Sequence, residues 1–290
     1  MKFRKVGIAS QCRLNSKSKM PFVRRLGNIF YALLLSMFSS KKVRDTASGM
    51  RVIRRSSLSK LMPLPDGLHF TPAMSARAIL SRDLKIEEID MPYNEREGIS
   101  KLNLWKDGLR FLRVIMETAF LYRPARILGL LGALSFFCAA GLMLMPALFF
   151  IQHHRLEEWM IYRFVVSDLA GITACLLICS GYLSAKIVGM TLSGPIWSER
   201  SRGWLGAIFS SRAFFLFPLG LMISGMFLIF PGLIHYIRTG TIYEHWSRFI
   251  TMSFLFSAAL ILIVTKLVDY SLELITARVA YLKSLKGNDF

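Results

Sequence analysis

The sequence is short of carboxylates: 18 Asp and Glu face 37 Lys and Arg over 290 residues, for a net charge of +19. Cysteine is also scarce, with four in all, and nowhere do Cys and His cluster at zinc-ligand spacing, so no structural metal is expected. The basic start, Met1–Arg13, has no apolar core, which argues against a cleavable signal peptide. There is no P-loop, no G-x-G-x-x-G run, no internal repeat and no low-complexity tract. His69 has no identifiable sequence partner for a nucleophile–histidine–acid set.

What is present is unevenly spread. Residues 1–113 carry 23 Lys and Arg against 9 Asp and Glu, whereas most of the 53% hydrophobic content lies beyond them. A basic segment beside apolar runs points to anionic head groups or phosphates at a membrane. Nucleic acid would account for the charge but not for the apolar runs, so no nucleic-acid partner is expected.

Four runs are long enough to cross a bilayer core, which takes about 20 apolar residues. They cover roughly Arg126–Ile151, Ile161–Met190, Ala213–Ile237 and Phe249–Ile275. Unpaired backbone groups are not tolerated in hydrocarbon, so each is expected to be a helix. Lys186, Arg200, Arg202 and Arg212 flank the middle connection, and Arg278, Lys283 and Lys286 follow the last run. The positive-inside rule then makes this a multi-pass protein of a bacterial-type inner membrane, with both termini and the basic segment in the cytoplasm. Arg163, Asp168, Lys266 and Asp269 lie towards the ends of spans, where snorkelling or pairing is the favoured role over a substrate path. Cys12 is in the soluble segment. Cys138, Cys175 and Cys179 lie in spans, the last two on one helix face as small buried hydrophobes.

The first 103 residues read as mixed α/β: strands near Lys5–Ser10, Val52–Ile53 and Leu84–Ile89, with helices at Val23–Met37 and Pro72–Leu80. Over 104–122, Trp105, Leu109, Leu112, Met116 and Ala119 recur at helical spacing, with Lys106, Arg110, Arg113 and Glu117 on another face. This predicts an amphipathic juxtamembrane helix lying on the bilayer surface, ahead of a membrane domain over 123–290. Arg13, Arg24, Arg25, Arg51, Arg96 and Lys101 fall in loops or at element ends near Gly and Ser, where guanidinium forks and free amides suit phosphate recognition.

Three ordered patterns extend this. Met20-Pro21 leads into Arg24-Arg25-Leu26-Gly27-Asn28. Asp45-x-x-Ser48-Gly49-x-Arg51 follows, and then Arg96-x-Gly98-x-Ser100-Lys101 after the run Glu87-Glu88-Ile89-Asp90-Met91-Pro92-Tyr93. In this order they resemble the C-terminal half of the catalytic domain of family 2, GT-A type, glycosyltransferases, in particular the polyprenyl-phosphate (dolichol- or undecaprenyl-phosphate) mannosyl- and glucosyltransferases. The resemblance covers about residues 5–110 and implies a partial GT-A-like α/β domain before the juxtamembrane helix and four spans. It implies an enzyme that moves a sugar from a nucleotide sugar to a polyprenyl phosphate at the cytoplasmic face. Arg13, Arg24, Arg25, Arg51, Arg96, Ser100 and Lys101 would hold lipid phosphate or diphosphate. Asp45, Ser48 and Gly49 would shape the acceptor-side loop.

No catalytic residue is assigned, Asp45 being the one carboxylate in a suitable place. The Asp-x-Asp metal motif of the family's first half has no counterpart here, so no metal ligand is assigned. Mg²⁺ or Mn²⁺ is expected only for a complete enzyme. The expectation is therefore a piece that is inactive alone and works with a separate nucleotide-binding half, or as a homo-oligomer. A non-catalytic scaffold for lipid phosphate and a flippase component for lipid-linked sugar are the rival readings.

Overall fold

The computed structural model describes residues 7–15, 18–39, 41–67, 69–81, 84–93, 104–192, 208–209, 211–241 and 244–287. The chain divides into two compact units, Met1–Pro124 and Ala125–Phe290.

The first unit is built on a three-stranded sheet. Strand β1 (Ile8–Cys12) lies between β2 (Arg51–Ile53), to which it is antiparallel, and β3 (Ile86–Asp90), to which it is parallel. Inward-facing Ile8 meets Leu61, Met74, Ala78 and Leu84 in an apolar core, flanked by Ile53, Leu64 and Ile86. Alternate burial along β1 is the period-2 pattern of a strand covered on one face. Against the sequence pattern β1 begins three residues later, β2 one residue earlier and β3 two residues later. The four-residue helix α2 (Arg55–Leu58) carries no periodic signal at all.

Helix α1 (Phe22–Phe38) starts directly after Pro21, which cannot continue a helix backwards, and stops where Ser39 turns extended. It turns Asn28, Ala32, Leu35 and Phe38 inward at spacings of four and three. Its other side keeps Phe22, Leu26, Phe30, Leu33 and Met37 exposed. Helix α3 (Phe70–Leu80) is almost wholly buried.

Helix α4 (Leu104–Tyr122) packs on α3 and α1. The stripe that does this is Phe111, Ile115, Thr118 and Ala119, not the Trp105–Leu109–Leu112–Met116–Ala119 stripe that the spacing suggests. Of that second stripe Trp105 and Leu109 are exposed and Leu112 and Met116 are half-buried. The helix thus has two apolar faces, and the tertiary fold uses the one without tryptophan. Tyr31 fixes the α1–α4 pair by donating to the Gly108 carbonyl at 2.7 Å and meeting Phe111 edge to face.

The second unit is helical: α5 (Pro124–His153), α6 (Ile161–Leu192), α7 (Leu216–Thr239) and α8 (Trp246–Gly287). All four are long and apolar enough to cross a membrane, and the apolar windows are only 17–22% buried within the chain itself. Apolar surface on that scale fits a lipid solvent, so the chain is an integral membrane protein. Each helix runs past the C-terminal end of the span read from sequence, and α7 begins three residues after the expected start at Ala213. α8 continues furthest, twelve residues beyond Ile275. Close approach rests on glycine: a Cβ at Gly171 would come within 2.7 Å of the Phe254 ring, and one at Gly225 within 2.8 Å of Phe256. Gly240, in left-handed conformation at φ +68°, ends α7 with its amide on the Tyr236 carbonyl.

Candidate functional site

The patterns at Arg13, Asn28 and Asp45–Arg51 converge in the first unit, at the end of β1 and beside α1. Asp45 is at the centre and fully buried. Its Oδ2 accepts the Arg13 backbone amide at 3.0 Å and Arg13 Nε at 2.7 Å, and its Oδ1 accepts Arg13 Nη2 at 2.9 Å. Oδ1 also accepts Asn28 Nδ2 at 2.6 Å and the Ala47 amide at 3.2 Å. A two-pronged guanidinium–carboxylate bond of this kind fixes both groups in plane. Burial pushes the Asp45 carboxyl up, but the hydrogen bonds from Arg13 and Asn28 outweigh it and hold the group below the usual carboxylate range.

Asn28 couples α1 to the loop. Its Oδ1 accepts the Thr46 amide and hydroxyl at 3.2 and 3.1 Å. From β3, Glu88 Oε1 accepts the amides of Arg44 and Asp45, each at 2.9 Å, and Arg44 Nη2 reaches Asp90 at 2.6 Å. Asn28 and Glu88 each lie in one of the quoted runs, but type and spacing give neither a role. Asn28 belongs to the quoted Arg24–Asn28 pattern, which was the available signal, whereas Glu88 requires the β1–β3 pairing to bring it near.

Arg51 serves the same loop from the far side. Its Nε donates to the Ser48 carbonyl at 2.9 Å, Nη1 to the Thr71 carbonyl at 2.9 Å, and Nη2 to the Thr46 carbonyl and Ser75 hydroxyl at 3.1 and 2.7 Å. Burial lowers the guanidinium to about 10, opposed by nearby Asp45, so it stays charged at neutral pH. Ser48 is buried with its hydroxyl 3.4 Å from Gln11 Oε1, and Gly49 follows with open space beside its Cα.

The cations therefore differ in what they face. Arg51 is turned inward onto carbonyls. The Arg13 side chain keeps 19% exposure, with its guanidinium 5.9 Å from the Tyr93 ring centre. Arg25 is exposed and Arg24 half-buried at the start of α1. Arg96, Ser100 and Lys101 lie outside the described residues. Among the described residues no three His, Cys, Asp or Glu side chains converge as a metal site. The carboxylates close to the loop, Asp45, Glu88 and Asp90, bond Arg13, loop amides and Arg44, so this donor set does not fit a divalent cation.

No protein-family model matches the chain, and no solved structure does. Curated relatives do. The chain is 36% identical over 103 residues to a dolichyl-phosphate hexose transferase of Haloferax volcanii, covering 34% of this chain and 42% of that protein. It is 31% identical over 121 residues to the low-salt glycan biosynthesis hexosyltransferase Agl6 of the same organism, covering 41% and 29%. An uncharacterised protein of Shigella flexneri is 33% identical over 89 residues, covering 30% and 54%. The chain thus spans between about a third and about half the length of the relatives it matches. Over that part of its length it is related to glycosyltransferases of the dolichol-phosphate type.

Proposed function

We propose that this chain is the membrane-anchored, acceptor-side portion of a hexosyltransferase that places a sugar from a nucleotide sugar on a polyprenyl phosphate at the cytoplasmic membrane face. The observation that carries this reading is the Asp45-centred loop: buried, tied to three elements, and presenting Arg13 beside the basic start of α1. In the reaction, a phosphate oxygen of the lipid forms the bond to the anomeric carbon. The bond from that carbon to the nucleotide diphosphate breaks, and the diphosphate leaves with the electron pair. Nucleophile and leaving group are both anions, so cations must offset their repulsion.

Arg24, Arg25, Arg96 and Lys101, with Ser100, are the proposed phosphate contacts, and Arg13 is the cation held at the edge of the site by Asp45. A carboxylate with depressed pKa and both oxygens occupied is a poor proton acceptor. Asp45, Ser48, Gly49 and Arg51 are accordingly assigned to shaping the loop. The nucleotide-sugar half, with its Mg²⁺ or Mn²⁺, is proposed to come from outside this chain, as a separate subunit or segment.

The apolar sides of α1 and α4 support a membrane-face location. Phe22, Leu26, Phe30 and Leu33 on α1, and Trp105, Leu109, Phe120 and Leu121 on α4, are all exposed. Arg24, Arg25, Lys106, Arg110 and Arg113 lie on the same two helices. Apolar stripes bordered by cations, with a tryptophan, match the head-group region of a bilayer. In the chain a single residue, Arg123, separates α4 from α5.

The test is reconstitution. The purified chain in nanodiscs is mixed with a nucleotide-binding half, Mg²⁺, polyprenyl phosphate and a panel of nucleotide sugars, and lipid-linked sugar is counted. Transfer that requires both halves is expected. Lipid-phosphate binding without transfer under any pairing would leave a scaffold in place of an enzyme.

A further inference from the structure

The second unit holds a charged cluster that sugar transfer does not use. The side chains of Lys186 on α6 and Asp269 on α8 are almost fully enclosed, at 6% and 0% exposure. Lys186 Nζ donates to Asp269 Oδ1, to the Asp269 carbonyl at 3.2 Å and to Glu273 at 3.2 Å, which uses its three protons. Tyr182, one turn earlier on α6, donates to the same Asp269 oxygen at 2.8 Å. Lys266 stands 3.6 Å from Asp269 Oδ2 and donates to the Phe209 carbonyl. Phe209 in turn stacks on Tyr182 and Phe214, with ring centres 4.6 and 4.8 Å apart, just ahead of α7.

Two lysines and two carboxylates balance in charge. Lys186 is committed to acceptors on α8, while Asp269 Oδ2 accepts no hydrogen bond and faces Lys266 at 3.6 Å as an ion pair. Counted from Ile161 and Trp246, Lys186 and Asp269 lie about 37 and 35 Å along their helices at 1.5 Å per residue. A hydrocarbon core is about 30 Å thick, so the cluster belongs near the boundary, where paired charge is tolerated.

We infer that the Lys186–Asp269 pair, with Tyr182, Lys266 and Glu273, is the latch that fixes the register of α6 against α8 and pins the segment leading into α7. Its strength comes from compensation: removing one partner strands a buried charge, while removing both does not. The latch is independent of the transferase reading and requires only that these helices are spans.

The test uses a cross-link as a register gauge in native membranes. Thr276 and Met190 touch across the same two helices, with Oγ1 3.4 Å from Sδ. A chain carrying Met190→Cys and Thr276→Cys is treated with a short bifunctional thiol reagent, with the chain lacking the new pair as control. High intramolecular yield is expected in the parent, about a tenfold loss with Lys186→Met, and recovery of most of the yield when Asp269→Asn is added. Unchanged yield in Lys186→Met would overturn the latch, as would a double variant no better than the single. If Lys186→Met fails to accumulate in membranes, its return to parental level with Asp269→Asn supports the latch, and failure to return overturns it.

Discussion

Each unit of this chain is organised around one fully buried aspartate, and the two are used differently. Asp45 grips a guanidinium whose side chain retains 19% exposure, whereas Asp269 grips an ammonium enclosed to 6%. In the first unit the loop around the carboxylate is fixed while its cation stays at the edge, where an anion can meet it. In the second the cation is used up by three acceptors from α8 alone. A buried carboxylate thus says little about role until the exposure of its partner is known. The open pair suits recognition and the closed pair suits assembly.

The largest expected effect of breaking this contrast is at Asp45. Asp45→Ala leaves the Arg13 guanidinium and Asn28 amide without their acceptor, and should cost about 3–5 kcal/mol in the first unit. Thermal unfolding, with hydrogen exchange over residues 44–51, reads the change. The pH dependence has a definite sign. The folded-state pKa of Asp45 is depressed, so its contribution is present above the unfolded value of about 3.9 and is lost as pH falls through the folded value. Unfolding midpoints of the parent should hold from neutrality to about pH 4 and drop below it. Those of Asp45→Asn should start lower and decline less.

Next in size is helix approach in the membrane unit. Gly171→Leu drives a side chain into the Phe254 ring and should cost about 1–3 kcal/mol, read as a lowered melting temperature in detergent, with binding of polyprenyl phosphate retained. Arg24→Ala with Arg25→Ala should weaken that binding about tenfold without a shift in melting temperature, which calorimetry and unfolding separate. The smallest effect on stability is at the exposed stripe of α1. Leu33→Glu should stay within about 0.5 kcal/mol, yet a spin label placed at Phe22 should move from an oxygen-rich to a water-accessible environment in nanodiscs. A label equally wet in both chains would remove α1 from the membrane face.

Much of this architecture was legible in residue order. Four spans follow from apolar length alone, since hydrocarbon admits little besides helices. β3 follows from alternation to within two residues, and β1 is placed to within three. Of the four candidate cations among the described residues, Arg13 keeps partial exposure beside Asp45, Arg24 and Arg25 lie at the start of α1, and Arg51 turns inward. That difference needs the positions of Thr71 and Ser75, which only the docking of α3 supplies. The role of Glu88, which lies in a quoted run, is hidden for the same reason: its partners are 43 and 44 residues away. Lys186 is a different case. Its place near a helix end reads as a flanking charge, and that α8 brings Asp269 to it and buries both depends on packing that residue order does not carry. The apolar periodicity of α4 gives one of its two apolar faces, while the face that docks on α3 and α1 is known only once those helices are in place.

The most direct measurement is calorimetric binding of a short-chain polyprenyl phosphate, and of the matching uncharged polyprenol, to the whole chain in detergent. Binding on the order of micromolar is expected for the phosphate, none for the alcohol, and phosphate binding about tenfold weaker with Arg24→Ala and Arg25→Ala together. Equal binding of phosphate and alcohol, or a preference unmoved by those substitutions, would contradict the proposed function.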